Sequence, residues 1–258
     1  MKVAIIGAGN MGGSIARGLV QGSLVKAIDI TVANPTNTKL KALKVFNTEI
    51  QTTNNNQSAI NNADIVIFAV KPWLMQEVIC QLSLASDKQI IVSVAAGIPF
   101  SEYEQWIGPS TTIFRLIPNT AISQLQSMTL IASHNATKEQ EQLILNLFNE
   151  MGVAMLIPEK QMAAATALTS CGIAYVLKYI QAAMQAGIEM GIYPKDAMKM
   201  VAQSVKGAAE LILSNETHPS VEIDKVTTPG GITIKGINEL EHAGFSSAII
   251  RAIKASNS

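Results

Sequence analysis

The feature that most restricts what this chain can become is Gly7-Ala8-Gly9-Asn10-Met11-Gly12, set directly behind the apolar run Val3 to Ile6. An apolar run that enters glycines spaced G-x-G-x-x-G and then a helical pattern, here residues 15–20, predicts a strand-turn-helix unit. In such a unit Gly7 permits the tight turn, Gly9 lets the backbone approach a phosphate, and Gly12 lets helix and strand pack closely. The phosphates of a dinucleotide then sit at the positive end of the helix. Alone the pattern is weak, and an ordinary glycine-rich turn is the plain alternative; the strand before it and the helix after it make it specific.

Short β-branched runs recur at residues 30–33, 65–70, 90–94 and 112–116, with a helical pattern at 73–82. Asp64-Ile65-Val66-Ile67-Phe68-Ala69-Val70 is apolar almost throughout instead of alternating, as a strand covered on both faces should be. The expected architecture is α/β, a doubly wound parallel sheet of Rossmann type. A strand at 128–132, a helix at 138–151 and a strand at 153–157 complete it, which places a domain boundary near Pro158. The expected domains are therefore 1–158 and 159–258. Beyond Gln161 the strand signal vanishes and helical patterns cover 163–191, 194–213, 232–242 and 246–255. Small residues such as Ala163, Ala164, Ala182 and Ala186 allow close helix contact, and the helices look apolar on more than one face. An all-helical C-terminal dimerisation domain in an obligate homodimer is expected, the alternative being that the extra face packs on the α/β half.

Composition removes other classes. The 258 residues carry a formal net charge of zero, so neither a nucleic-acid footprint nor a polybasic membrane surface is expected. Cys80 and Cys171 lie far apart, which offers no disulfide framework and suits a reducing cytoplasm. The apolar start is interrupted by glycines before it could form a secretory segment, and no uninterrupted apolar run approaches the ~20 residues that span a bilayer. His134, His218 and His242 show no ligand spacing, so no metal is expected.

Cofactor choice is read at the end of the second strand, where an acid would accept hydrogen bonds from a ribose 2′-hydroxyl. Here the strand runs into Asn34-Pro35-Thr36-Asn37 and then Lys39, uncharged or donating groups that favour NADP(H), with NADH as a second donor. Asp29 precedes the strand and reads as a turn residue. At the carboxyl end of the strand 65–70 come Lys71 and Pro72; Pro72 presets the next helix, and Lys71 is either a ligand contact or a solvated loop cation. Further on, Pro229-Gly230-Gly231 opens a helical pattern, and N–H groups around Gly231, Ile232 and Thr233 could form an anion cup. A glycine cap without a ligand is the alternative.

Asp224-Lys225-Val226-Thr227-Thr228-Pro229-Gly230-Gly231-Ile232-Thr233-Ile234-Lys235-Gly236 resembles the signature of the pyrroline-5-carboxylate reductases. The resemblance extends through Gly7 to Gly12, Ala69-Val70-Lys71-Pro72, Arg115-Leu116-Ile117-Pro118-Asn119-Thr120 and His218-Pro219. It implies reduction of Δ1-pyrroline-5-carboxylate to L-proline by hydride from NADPH, the last step of proline biosynthesis. It also implies a homodimer through the helical domain, with assembly beyond it, up to a decamer, left open. By resemblance Thr233 and Glu216 are catalytic, and Thr228, Gly231, Ile232 and Thr233 hold the substrate. Gly7, Gly9, Asn10, Met11, Gly12, Asn34, Pro35, Asn56, Ala69, Val70, Lys71 and Pro72 then serve the cofactor.

The chain departs from the family at Thr169-Ser170-Cys171-Gly172-Ile173, where Ser-Gly-Ser-Gly-Pro is usual, and at Ala121, Ile232 and Ala163. Two other readings compete. A β-hydroxyacid dehydrogenase would need a lysine with an asparagine one helical turn on, but Lys178 is followed by Ala182. A dinucleotide-binding regulator without turnover draws support only from the altered 169–171 stretch.

Overall fold

The computed structural model describes residues 1–85 and 88–257. Contacts divide the chain into two compact units, Met1–Ser170 and Cys171–Ser258.

The first unit contains an eight-stranded sheet in the order β3-β2-β1-β4-β5-β6-β7-β8. Its strands are β1 (Val3–Ile6), β2 (Ile30–Ala33), β3 (Gln51–Thr53), β4 (Ile65–Phe68), β5 (Ile90–Ser93), β6 (Ile113–Ile117), β7 (Ser127–His134) and β8 (Gly152–Leu156). The apolar runs are explained by double-sided burial. Val3 and Ile5 of β1, with Ile65 and Ile67 of β4, enter one core, while Ala4, Ile6, Val66 and Phe68 enter a second on the opposite face. The helices are α1 (Asn10–Gln21), α2 (Asn37–Phe46), α3 (Asn56–Ile60), α4 (Met75–Cys80), α5 (Phe100–Ile107), α6 (Lys138–Asn149) and α7 (Met162–Thr166).

Strands β1 to β6 are parallel, but β7 runs antiparallel to β6, with Ile113 opposite His134 and Ile117 opposite Leu130. A parallel return needs a crossover of roughly a dozen residues or more. Only Pro118, Asn119, a short 3₁₀ turn (Thr120–Gln124) and the left-handed Leu125 with Gln126 separate the two strands, so the chain doubles back. The doubly wound parallel sheet expected from the sequence thus carries one reversal, at this strand.

Two devices fix α1, the helix behind the glycines. Gly18 and Ile15 are buried along its inner face. At its far end Glu150 accepts hydrogen bonds from the Ser23 N–H at 2.5 Å, the Ser23 hydroxyl at 2.7 Å and the Leu24 N–H at 3.2 Å. Helix α6 starts from a capping box in which the Gln140 N–H donates to Thr137 Oγ1 and the Thr137 N–H to Gln140 Oε1.

The second unit holds α8 (Gly172–Glu189), α9 (Pro194–Asn215), α10 (Pro219–Val226), α11 (Ile232–His242) and α12 (Phe245–Ala255). The stretch expected as one helix from 163 to 191 is interrupted by a π turn at Ala167–Cys171. Where α8 meets α9, Gly187 lies against Ala197; a Cβ on Gly187 would sit 3.4 Å from the Ala197 methyl. These are the only two buried residues in the five helices. Leu177 is 59% exposed, Leu213 72% and Ile250 58%, apolar surface that a lone copy leaves in water. The run Glu159–Glu189 is long enough, and apolar enough over part of its length, to pass for a membrane span by length and composition alone, a property the broken apolar pattern of the sequence did not suggest.

Candidate active site

In the first unit a cavity of about 760 Å³ opens at the carboxyl ends of β1, β2, β4 and β5, within the roughly 300–1,000 Å³ of small-molecule sites. Gly7 turns at φ +105°, and a Cβ there would meet the Ala69 carbonyl oxygen at 2.6 Å. A Cβ on Gly12 would lie 1.9 Å from the Gly7 carbonyl oxygen, so only glycine lets α1 start this close to β1. At Gly9 a Cβ would meet nothing within 4 Å, which leaves the backbone approachable from the cavity. Gly9 is the N-cap of α1, and no side chain caps the helix. The first helical bond is the Gly13 N–H to the Gly9 carbonyl, which leaves the amides of Asn10, Met11 and Gly12 without a helical partner. The donor set fits a pyrophosphate.

Gly7, Gly9, Asn10, Met11, Asn34, Pro35, Asn56, Ala69, Val70, Lys71 and Pro72 all line this cavity. Gly12 is buried behind it. Lys39, read with the turn at 34–37, lines it as well, and part of the wall was not expected: Ile6, Asn54, Leu74, Val78, Val94, Ala95 and Ala96. The last three were reachable, because the rule that singled out Lys71 after β4 applies equally to the residues that follow β5.

Asn34 lines the cavity and is also tied into the glycine loop beside it. It is buried, its Oδ1 accepts the Ala8 N–H at 3.0 Å, and its Nδ2 donates to the Thr36 carbonyl and Thr36 Oγ1, both at 3.0 Å. With both amide hydrogens and an acceptor committed, its side chain moulds the glycine loop. Lys71 stands at the mouth with its ammonium 5.8 Å from the centre of the exposed Trp73 ring.

In the second unit Gly230 turns at φ +74° and Gly231 is the N-cap of α11, again with no side-chain cap. The Gly231 N–H is taken by the Thr228 carbonyl at 3.0 Å, which corrects the expected membership of the anion cup. The available donors are the first-turn amides of Ile232, Thr233 and Ile234. Thr228 closes the turn: a Cβ on Gly231 would lie 2.7 Å from Thr228 Oγ1. Thr233 is exposed in that first turn, as is Ile232 at 86%. Glu216 ends α9 in the left-handed region at φ 51°, with an exposed side chain. Beside it, the Thr217 hydroxyl donates to Glu222 at 2.5 Å and Lys225 pairs with the same oxygen at 2.7 Å. Lys225, then Thr217, hold the Glu222 carboxyl below its usual range, so it is ionised at neutral pH.

Comparison with known proteins decides the family. Residues 159–258 match the family model for pyrroline-5-carboxylate reductase dimerisation, and residues 2–97 match NADP oxidoreductase, coenzyme F420-dependent. Pyrroline-5-carboxylate reductase 2 of Dictyostelium discoideum is 39% identical over 98% of this chain and 89% of its own length. The chain belongs to the pyrroline-5-carboxylate reductase family.

Pyrroline-5-carboxylate reductase 1 of the same organism is 37% identical over 99% of this chain, which spans about half (48%) of that longer relative. The structure of the Plasmodium falciparum pyrroline carboxylate reductase with NADP bound superposes with a TM-score of 0.90 at 25% identity, covering 100% of this chain and 95% of that one. The Coxiella burnetii pyrroline-5-carboxylate reductase gives 0.90 at 28% identity, over 99% and 96%. This family member is an oxidoreductase that uses a nicotinamide cofactor, takes a small-molecule substrate and forms oligomers.

Proposed function

We propose the following division of labour for the reaction of this family. The chain reduces Δ1-pyrroline-5-carboxylate to proline, and bound NADPH supplies the hydride for the C=N carbon. The cofactor's pyrophosphate rests on the first-turn amides of α1. Lys39 and the uncharged turn 34–37 leave room for a 2′-phosphate, so NADPH is preferred over NADH. On the helical unit, the amides of Ile232, Thr233 and Ile234 hold the substrate carboxylate. The Thr233 hydroxyl orients the imine and relays a proton to its nitrogen, completing the change from C=N to CH–NH. Glu216 supports the substrate end. Lys71 and Asn56 contact the cofactor.

One observation carries this reading: two helices, each begun by an uncapped glycine, present unclaimed amides, one into a dinucleotide-sized cavity and one inside the segment Thr228 to Gly236 that marks the family. We place the enzyme in the cytoplasm as a homodimer through α8 to α12, with a decamer as the next level of assembly. The apolar run Glu159–Glu189 lies wholly within the matched dimerisation segment, which supports a protein partner for it in place of a bilayer.

The test is oxidation of NADPH by purified protein with pyrroline-5-carboxylate. Proline formation at the rate of NADPH loss is expected, with a higher kcat/KM than with NADH; NADPH binding without turnover would favour the regulator instead.

A further inference from the structure

We propose that Ser93 and Tyr103 are positioning residues for hydride transfer, acting through the backbone of Ala95 without touching the substrate or cofactor. Ser93 is the last residue of β5 and fully buried at 0% exposure, as is Tyr103 on α5. Ser93 Oγ lies 2.5 Å from the Tyr103 hydroxyl and accepts the Ala95 N–H at 3.2 Å. The three groups form a short chain from the buried face of α5 to the loop that leaves β5. That loop carries Val94, Ala95 and Ala96, which line the cavity.

The location gives the chain its meaning. In the order β3-β2-β1-β4-β5-β6 a dinucleotide straddles the switch between β1 and β4, with the adenosine ribose at the β2 end. The other half of the ligand therefore faces the exits of β4 and β5, where the loop after Ser93 stands. This step rests on the proposed function. Gly97 follows at φ +84°, where an added Cβ would meet nothing within 4 Å, so no side chain packs at that point of the loop. Its far end is tied separately, because the Phe100 N–H donates to Glu159 at 2.8 Å and Glu159 pairs with the buried Arg115. At the near end the Val94 N–H donates to the Phe68 carbonyl at 3.0 Å, and the next amide, that of Ala95, is held by Ser93. Burial pushes the Tyr103 phenol up to about 12, so the tether keeps its proton throughout the pH range of turnover.

Tyr103→Phe and Ser93→Ala each remove one link while leaving the apolar packing in place. A small misplacement of reacting groups is costly, so each should lower kcat by about tenfold or more. NADPH affinity should stay close to wild type, because the pyrophosphate and the 2′-phosphate are held elsewhere. With NADPH deuterated at the transferred position, the primary isotope effect on kcat should rise, since the hydride step becomes slower relative to the others. The Ala95 amide should exchange with solvent faster in both variants. Because both break one chain, the double variant should be no slower than the slower single. Unchanged kcat and isotope effect, with only a lower melting temperature, would overturn the proposal and leave a stability role alone. Wild-type protein inactive with pyrroline-5-carboxylate would instead overturn the functional reading, and the tether's role in turnover with it.

Discussion

Two helices of this molecule begin in nearly the same way. Gly9 caps α1 at φ −65°, ψ −170°, and Gly231 caps α11 at φ −66°, ψ 169°; each follows a turn with a glycine at positive φ, and neither has a side-chain cap. Their surroundings differ completely. Gly7 and Gly12 are wedged against Ala69 and each other, and α1 buries Gly12, Gly13, Ile15, Ala16, Gly18 and Leu19. Gly230 stands in open space, and α11 buries nothing. The same cap is thus prebuilt at the proposed cofactor site and left bare at the proposed substrate site. The first is a rigid cradle made by one chain; the second needs other surfaces to close around it.

Substitutions can break this comparison, and the largest effect is expected at Gly12. In Gly12→Ala the added methyl collides with the Gly7 carbonyl, and the loop must open. Charge-assisted bonds are worth about 1.5–3 kcal/mol each, so losing two weakens NADPH binding by about a hundredfold or more. Titration of NADPH fluorescence measures it, and wild-type affinity would show that the loop is not the cradle. Next comes Thr233→Ala, which should lower kcat about a hundredfold, the worth of one proton-transfer partner, with NADPH affinity preserved. Thr233→Ser should restore most of it. A lower melting temperature with unchanged kcat would mark Thr233 as a helix-start residue only.

Asn34→Asp sharpens the comparison by probing what holds the cradle. An aspartate cannot donate to the Thr36 carbonyl, and a lost buried hydrogen bond of about 1–3 kcal/mol should weaken NADPH and NADH together by about tenfold. A selective gain with NADH would instead make residue 34 a ribose ligand. The smallest effect is expected for Gly9→Ala. Nothing in the protein opposes that methyl, so the melting temperature should hold while it crowds the pyrophosphate by about 1 kcal/mol, a several-fold loss of NADPH affinity in the same titration.

The two regions also differ in how well the sequence announced them. Strands such as β1 and β4 are apolar on both faces and stand out from the chain, whereas β3, Gln51-Thr52-Thr53, is half-buried at the sheet edge and has no apolar signature. Helices α2, α3, α5 and α10 are short or polar and passed unnoticed. The reversal at β7 depends on connection length, which hydrophobic pattern does not record. At the site, the glycine cradle is legible because steric exclusion leaves glycine alone at positions 7 and 12. The bonds by which Asn34 holds the loop were not legible, because identity and position say nothing of where a carboxamide points. Likewise, no pattern reveals that the Thr228 carbonyl claims the Gly231 amide.

The bare helical unit carries a thermodynamic corollary. A fold that buries only Gly187 and Ala197 across α8 to α12 has almost no core of its own, so its free energy of folding is coupled to association by mass action. Dilution then acts on it as a denaturant does: the melting temperature should climb with protein concentration. A substitution on the outer face of α8 should lower stability most in dilute solution. Calorimetry across a wide concentration range reads this directly, and a melting temperature independent of concentration would mean that the helices stand alone.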